Sequence, residues 1–529
     1  MPTEIPVQHL RHLLETSSDH IALIDVRETA EYNLAHIAGS VSLPRRVIEF
    51  RLSSLVPWRG TPTVVCDDDG RRARLAAATV ESLAYTDVSV LSGGLNRWVT
   101  EGLSTEWGVN VPSKDFGEKV LLQNRIPEVE PDELAGWMAS GRKLVILDSR
   151  TPEEHQRSCI PGSRSMPGAE LGLRAWELAK DPNTTVIVHC AGRTRSIIGA
   201  GTLQRLGVAN VFALKNGTMG WLLSGRELET GSTRIDLPRP SPENHQRAEG
   251  LARRVGTEEG VRFVGIDEAR EQLRRADKEN VYSFDVRSEV EYREGHIPGF
   301  RWVPGGQAVQ AADSCVAVRG GTILFACDGL VRAAMTASWF RQMGYPNVHV
   351  LVGGTGAWRD AGLSLEAAVR AEDVFGLEEA RRRVRALPPH DLEHRLHETP
   401  APRVLFVGPS DEFSRAHIPG STWLSRSWLE LRIAAAVPSR ADSIVVTCGD
   451  GQNSLLAAAT LLVLGYKDVS VLQGGLHAWS AGGHPVETGL QGVTRPPDDV
   501  LPASRSYAEM LNYLRWEESL GERYTHDEV

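Results

Sequence analysis

The chain has 529 residues, more than one hydrophobic core normally serves, so several domains are expected. A net charge of −10 argues against a general binder of nucleic acid or anionic membranes, and no apolar run reaches the ~18 residues of a membrane span. Six cysteines, none in a CxxC pair, are too few for a disulfide scaffold and disfavour a structural zinc site.

The N-terminal MPTEIPVQHLRHLLE shows no basic-then-apolar leader, so the cytoplasm is the expected compartment. The first strand-like run ends in Asp25 and Arg27, followed by His36-Ile-Ala-Gly39. The apolar run TVV then leads to Cys66, and VLSGGLNRW closes the segment at Trp98. The same landmarks return in order. The second set is Asp148/Arg150, Cys159-Ile-Pro-Gly162, VIVH before Cys190, and Trp221. The third is Asp285/Arg287, His296-Ile-Pro-Gly299, ILFA before Cys327, and Trp358. The fourth keeps His417-Ile-Pro-Gly420, IVVT before Cys448, and Trp479, but reads VLFVGPSDEF where Asp-x-Arg should stand. In each copy the loop cysteine lies about 31 residues after the HIPG-like signature and about 31 before the tryptophan. Self-similarity of this kind marks tandem domains. Alternating strands and helices predict α/β domains, each a parallel sheet flanked by helices, with ligand sites at the carboxyl edge.

The expected boundaries are 1–110, 125–230, 257–367 and 371–488 for the four domains, with a linker at 231–256 and a tail at 489–529. The polar, proline-bearing 231–256 stretch is the expected hinge between two halves. Copies three and four are joined tightly near 366–373, and PPHDLEHRLHETPAP (388–402) reads as an insertion in copy four. In the tail, Met510, Leu511, Leu514 and Trp516 have helical apolar spacing. That helix docks on a domain or, alternatively, binds a partner.

Asp-x-Arg, Glu-Tyr or Glu-His, HIPG, Cys-x4-Arg and GG-x3-W, in this order, resemble the rhodanese-like domain of sulfurtransferases across roughly residues 1–490. The resemblance implies four tandem rhodanese-like domains, each a five-stranded parallel sheet flanked by helices. It also implies ping-pong sulfur transfer. A loop cysteine takes a sulfane sulfur from a small anionic donor such as thiosulfate, and its persulfide passes the sulfur to cyanide or a thiol. A sulfur-accepting protein is a further candidate partner. No cofactor, metal, nucleic acid or membrane is implied.

The four loops differ in their residues. CAGRTRS carries Cys190 with Arg195 at the fifth following position and Ser196 at the sixth. Gly192, Arg193, Thr194, Arg195 and Ser196 form the expected anion cradle, with a formal charge of +2. Positive charge, loop N–H groups and a helix N-terminus all favour a thiolate. CDDDGRR carries Cys66 and Arg71 but is acidic, which raises a thiol's pKa and repels anions. CDGLVRA carries Cys327 and Arg332, and CGDGQNS carries Cys448 with Asn453 in the arginine's place. Cys190, Cys327, Cys66 and Cys448 are thus the candidate nucleophiles, and Arg193, Arg195, Arg332 and Arg71 the candidate anion-binding arginines. Cys159 replaces the histidine of HIPG, either as tolerated loss of a structural residue or as a second thiol that resolves or receives the persulfide. Cys315 matches no motif. Asp25, Asp148 and Asp285 are expected to pair with their arginines, and His36, His296 and His417 to be structural.

Two rival functions remain. HCAGRTRS looks like the HC-x5-R signature of cysteine-dependent phosphatases, but Cys190 to Arg195 is one residue short, which leaves room for sulfur and crowds phosphate. A partly degenerate scaffold or persulfide carrier that binds protein partners is the second.

Overall fold

The computed structural model describes residues 2–367, 374–493, 498–499 and 506–524. The expected joint of copies three and four near 366–373 lies largely outside the described residues. Four five-stranded parallel sheets are present. Counted within each domain, the strand order is first, fifth, fourth, second, third in all four. The central strands Thr63–Cys66, Thr185–His189, Thr322–Ala326 and Ser443–Thr447 are each the fourth of their domain. They are apolar throughout because helices cover both faces of a parallel sheet; Val186, Ile187 and Val188, for example, are fully buried.

The tryptophans pack as core. Trp98, Trp221, Trp358 and Trp479 are buried. Each donates its indole N–H to a carbonyl six residues on, at 2.9, 2.9, 3.1 and 2.8 Å. The polar end of each ring is therefore satisfied inside the fold.

The chain divides into two compact units. One joins Met1–Val109 with Ala371–Leu501, and the other joins Asn110–Arg370 with Pro502–Val529. Domains one and four thus form one unit, and domains two and three with the C-terminal helix form the other. The expected hinge at 231–256 lies inside the second unit instead. Its later part is the helix Pro242–Glu258, capped by Ser241, whose side chain accepts from the Asn244 N–H at 3.3 Å. Ala248, Ala252 and Val255 are spaced one and nearly two turns apart and are buried against helices Gly168–Leu178 and Val331–Gln342. Proline content had masked this stripe, although Pro242 sits at the first helical position, where proline fits. The supposed insertion 388–402 is also part of the fold. Helix Pro389–Leu396 stands between the first and second strands of domain four, as Val7–Thr16, Pro131–Ala139 and Ile266–Arg274 do in theirs.

In the second unit the two domains are joined by a buried guanidinium. Arg332 is fully buried and contacts Glu170 of domain two at 2.6 Å, with Glu291 at 2.7 Å and Asp328 at 2.8 Å in its own domain. Removing Arg332 deprives Glu170, whose side chain is 4% exposed, of this partner in a dry site, while Glu291 and Asp328 keep access to solvent. Arg332→Ala is expected to lower the stability of the unit by about 3–5 kcal/mol, measured by urea unfolding. A loss below about 1 kcal/mol would place Arg332 with weak surface pairs.

Candidate functional site

In every domain the fourth strand ends in a short loop that turns into a helix: Arg71–Ser82, Thr194–Arg205, Val331–Gln342 or Gln452–Val463. The first loop residue is held from behind by the glycine turn before the tryptophan helix. The Cys190, Cys327 and Cys448 carbonyls accept from the Thr218, Thr355 and Leu476 N–H groups at 2.9, 2.9 and 2.8 Å. A Cβ on Gly217, Gly354 or Gly475 would lie 2.3, 1.8 or 2.5 Å from the same carbonyl oxygens. Only glycine allows this approach, at a positive φ in all three.

In domain one the residue held this way is Asp67. Its carbonyl accepts from the Leu95 N–H at 2.7 Å, and a Cβ on Gly94 would lie 2.4 Å away. Cys66 instead ends the strand Thr63–Cys66 and stands opposite Asp25. His189 opposite Asp148, Ala326 opposite Asp285 and Thr447 opposite Phe406 hold the same register. Cys66 is thus one residue short of the loop, inside the sheet, where burial pushes its thiol well above the usual range. The expectation of a loop cysteine in all four copies fails here. Arg71 shifts with it. Its side chain is exposed and paired with Asp69 at 2.7 Å, while Arg72 takes the place of Arg195 and Arg332. The spacing held the signal: His36 to Cys66 is one residue shorter, and Cys66 to Trp98 one longer, than in the other copies.

Domain one also shows what the loop does. The Asp67 carboxylate accepts from the N–H groups of Gly70, Arg72 (2.8 Å) and Ala73 (3.2 Å). Burial pushes its carboxyl up while these backbone donors pull it down. The loop and the helix start thus form an anion cradle of backbone N–H groups, filled in this domain by its own carboxylate.

Cys190 occupies the corresponding place in domain two. Its Sγ donates to Ser196 Oγ at 3.6 Å, and Ser196 Oγ donates to the Arg193 carbonyl at 2.7 Å. The expected positive charge is not free. Arg193 pairs with Glu118 at 2.6 Å, with Glu128 and Glu518 each at 3.4 Å. Arg195 makes a two-bond fork to Glu154 at 2.7 and 2.9 Å. Both guanidinium groups are largely buried, and an unpaired buried charge would be costly. The fork is a repeated brace: Arg72 with Glu31 and Arg332 with Glu291 are its counterparts. The glutamate is the one that precedes Tyr or His in the family signature, and its partner was missed in the sequence because the two lie 41 residues apart.

The Asp-x-Arg pairs are ion pairs at 2.7, 2.7 and 2.6 Å, and each arginine also donates to the carbonyl preceding the HIPG-like signature. The histidines His36, His296 and His417 bond a backbone carbonyl through Nδ1 and stack on an aromatic ring at 3.8 Å. Domain two replaces that stacked pair with His155 and Cys159. His155 bonds Asp148 at 3.0 Å and Ser232 at 3.1 Å. Its pKa is raised to about 9; burial opposes the rise, and Asp148 and Cys159 outweigh it. Next to Cys190, burial lowers His189 to about 4, against the pull of Asp148, whose carboxylate lies 3.7 Å from Nε2.

Cys327 and Cys448 take the loop position in domains three and four. Burial pushes the Cys327 thiol up to about 12, with Asp328 adding to the rise. Burial pushes Cys448 up to about 11, although it accepts from the Ser454 N–H at 3.3 Å. With Asn453 in place of the arginine, Glu412 lacks the fork of its counterparts, and burial pushes its carboxyl up against the opposing pull of Arg415 and the Gly449 N–H.

The C-terminal helix Tyr507–Ser519 docks on helices Val111–Gln123 and Gly217–Leu223, burying Met510, Leu514 and Glu517. It stands over Gly192 and Thr194, residues expected to line the Cys190 cradle. Thr194 Oγ1 donates to Glu517 at 3.0 Å.

The Rhodanese-like domain model matches residues 7–101, 130–224, 268–361 and 389–482. A thiosulfate sulfurtransferase from Pseudomonas aeruginosa superposes with a TM-score of 0.90 at 37% identity, over 99% of this chain and 98% of that one. A sulfurtransferase of Allochromatium vinosum is 26% identical over 100 residues, 19% of this chain and 92% of that protein. The probable adenylyltransferase/sulfurtransferase MoeZ of Mycobacterium tuberculosis is 30% identical over 149 residues, 28% of this chain and 37% of that protein. Four sheets of one topology, each ending at the same loop, are what these matches share with the chain, which belongs to the rhodanese-like domain family and is thiosulfate sulfurtransferase-like.

Proposed function

We propose that the protein moves a sulfane sulfur from a donor such as thiosulfate to a thiol or cyanide acceptor through a persulfide on Cys190. The observation that supports it is the position of Cys190: it stands where Asp67 receives three backbone N–H donors in domain one. The cradle that holds a carboxylate there suits a thiolate or persulfide here.

The Cys190 thiolate attacks the outer sulfur of thiosulfate. A bond forms between Sγ and that sulfur, and the old sulfur–sulfur bond breaks with its electron pair leaving on sulfite. The persulfide anion then rests among the loop N–H groups. Cyanide attacks its outer sulfur, leaves as thiocyanate and restores the thiolate; a thiol acceptor leaves as a persulfide by the same exchange. Ser196 holds the sulfur from one side, and the Arg195–Glu154 fork keeps the helix start in place. Cys327 and Cys448 are secondary sites in this reading, because their raised thiols ionise little near neutrality. Domain one, with Asp67 in the cradle, is a supporting domain. A persulfide passed on to a protein acceptor is compatible with the same chemistry.

Three outcomes test the reading. Cys190→Ser is expected to abolish thiosulfate-dependent sulfur loading, read as the mass gain of one sulfur atom, and nearly all thiosulfate:cyanide turnover. Full activity in that variant would end the assignment. Cys66→Ala is expected to leave both unchanged. Iodoacetamide at pH 8 should spare Cys327 and Cys448, whose thiolate fractions there are about 1 in 10,000 and 1 in 1,000. Because these thiols are raised, their thiolates appear only as pH rises, so each rate climbs about tenfold per pH unit. That climb ends near about 12 for Cys327 and about 11 for Cys448. Peptide mapping of the alkylated cysteines reads the result; alkylation of Cys327 at a free thiol's rate at pH 8 would contradict it.

A further inference from the structure

The C-terminal helix lies outside the five-stranded fold, yet it forms a wall of the Cys190 loop. A Cβ on Gly192 would lie 3.1 Å from Glu517 Oε2, 3.6 Å from Tyr513 Cε1 and 3.8 Å from Leu514 Cδ2. Glu517 is 2% exposed. Its Oε1 accepts from Thr194, and its Oε2 is buried with no hydrogen-bond partner among the described residues. Arg193 is committed to Glu118 and Arg195 to Glu154; the buried Lys114 is the cation that acts most on Glu517, with Arg193 after it, and together they do not outweigh the effect of burial. The same arrangement recurs in domain three. Helix Pro242–Glu258, also outside the five-stranded fold, puts Glu249 Oε1 3.0 Å from the place of a Cβ on Gly329, the counterpart of Gly192. Two unrelated segments of chain thus bring a carboxylate to the same point of two loops.

We propose that Glu517 is a donor-selecting residue: it weakens the binding of compact dianions such as thiosulfate at Cys190 relative to thiol persulfides, without excluding them. The proposal rests on Cys190 being the sulfur-accepting residue. Attack of a thiolate on thiosulfate brings together three negative charges, and an ionised Glu517 adds a fourth, offset in part by Lys114, in a site where charges are poorly screened. A thiol persulfide carries at most one charge, as RS–S⁻, where thiosulfate carries two, and it reacts as an electrophile in its protonated form RS–SH. The Cys190 thiolate attacks that outer sulfur, the RS–S bond breaks, and the electron pair leaves on RS⁻, so the charge stays at one throughout.

The groups facing Glu517 are Lys114 and Glu118 on helix Val111–Gln123, Arg193 and Thr194 on the loop and helix start, and Tyr513 on its own helix. Burial raises the Glu517 carboxyl, so it ionises later than a free glutamate as pH rises. The KM for thiosulfate should therefore rise with pH as this charge appears.

The test is Glu517→Gln, which keeps the shape and the acceptor for Thr194 but removes the charge. Sulfur loading of the Cys190 peptide is followed against thiosulfate and against cysteine hydropersulfide. The KM for thiosulfate is expected to fall about tenfold, with kcat little changed and its pH dependence flattened. The KM for the hydropersulfide should stay within about twofold. Sulfur on Cys190 with an unchanged or higher thiosulfate KM overturns the proposal and leaves the sulfur-transfer reading standing. No sulfur on Cys190 from either donor, in both proteins, overturns both. As a second variant, Glu517→Asp keeps the charge on a shorter arm and should retain the pH dependence; loss of it would also count against the proposal.

Discussion

Each domain depends on one close backbone contact. The carbonyl of the first loop residue lies against the glycine of the turn before the tryptophan helix and accepts the next N–H. No side chain fits between them, so the glycine is required by space as well as by φ. The contact fixes where the fourth strand stops and the loop begins. It also aims the loop N–H groups at whatever side chain stands at that position. The backbone therefore builds the cradle before any reactive residue is chosen, and the occupant can vary: Asp67, Cys190, Cys327 or Cys448.

A second constraint braces the helix start. The arginine at the end of the loop reaches back to a glutamate on the helix before the HIPG-like signature, in domains one, two and three. These arginines are buried, and the fork neutralises them where solvent cannot. Domain four shows the result of losing one partner. Asn453 leaves Glu412 without the guanidinium fork of its counterparts, and burial raises its carboxyl although Arg415 opposes the rise. The domain keeps its loop all the same, because the carbonyl–glycine contact of Cys448 and Gly475 remains.

The fold was legible because its signals are local and repeated. Strand runs, Gly-Gly turns, tryptophans and HIPG-like segments each sit within a few residues and recur four times. What escaped was of other kinds. Asp67 was hidden by a one-residue offset: Cys66 looked like the loop thiol, and only strand register separates the two. The helix Pro242–Glu258 was hidden by proline and polarity, although its buried alanines are spaced as a stripe. The charge of the Cys190 loop was misread because counting arginines ignores their partners. Glu118 is 75 residues from Arg193, and Glu154 is 41 from Arg195. The pairing of domain one with four and two with three was not legible either, since it rests on surfaces that meet only after each domain has folded.

Loop arginines committed to fixed carboxylates cannot also supply free charge for a donor. What the loops offer an anion is then their backbone N–H groups, as the Asp67 carboxylate shows in domain one, and such groups discriminate poorly among small anions. Discrimination must come from what stands over the loop. In the second unit that is a helix added outside the conserved fold, at Cys190 and again at Cys327. Such helices can change without disturbing the carbonyl–glycine contact or the arginine fork. A repeated fold can in this way keep one backbone cradle while its surroundings differ from copy to copy, the variable part lying in the segments that the repeat does not share.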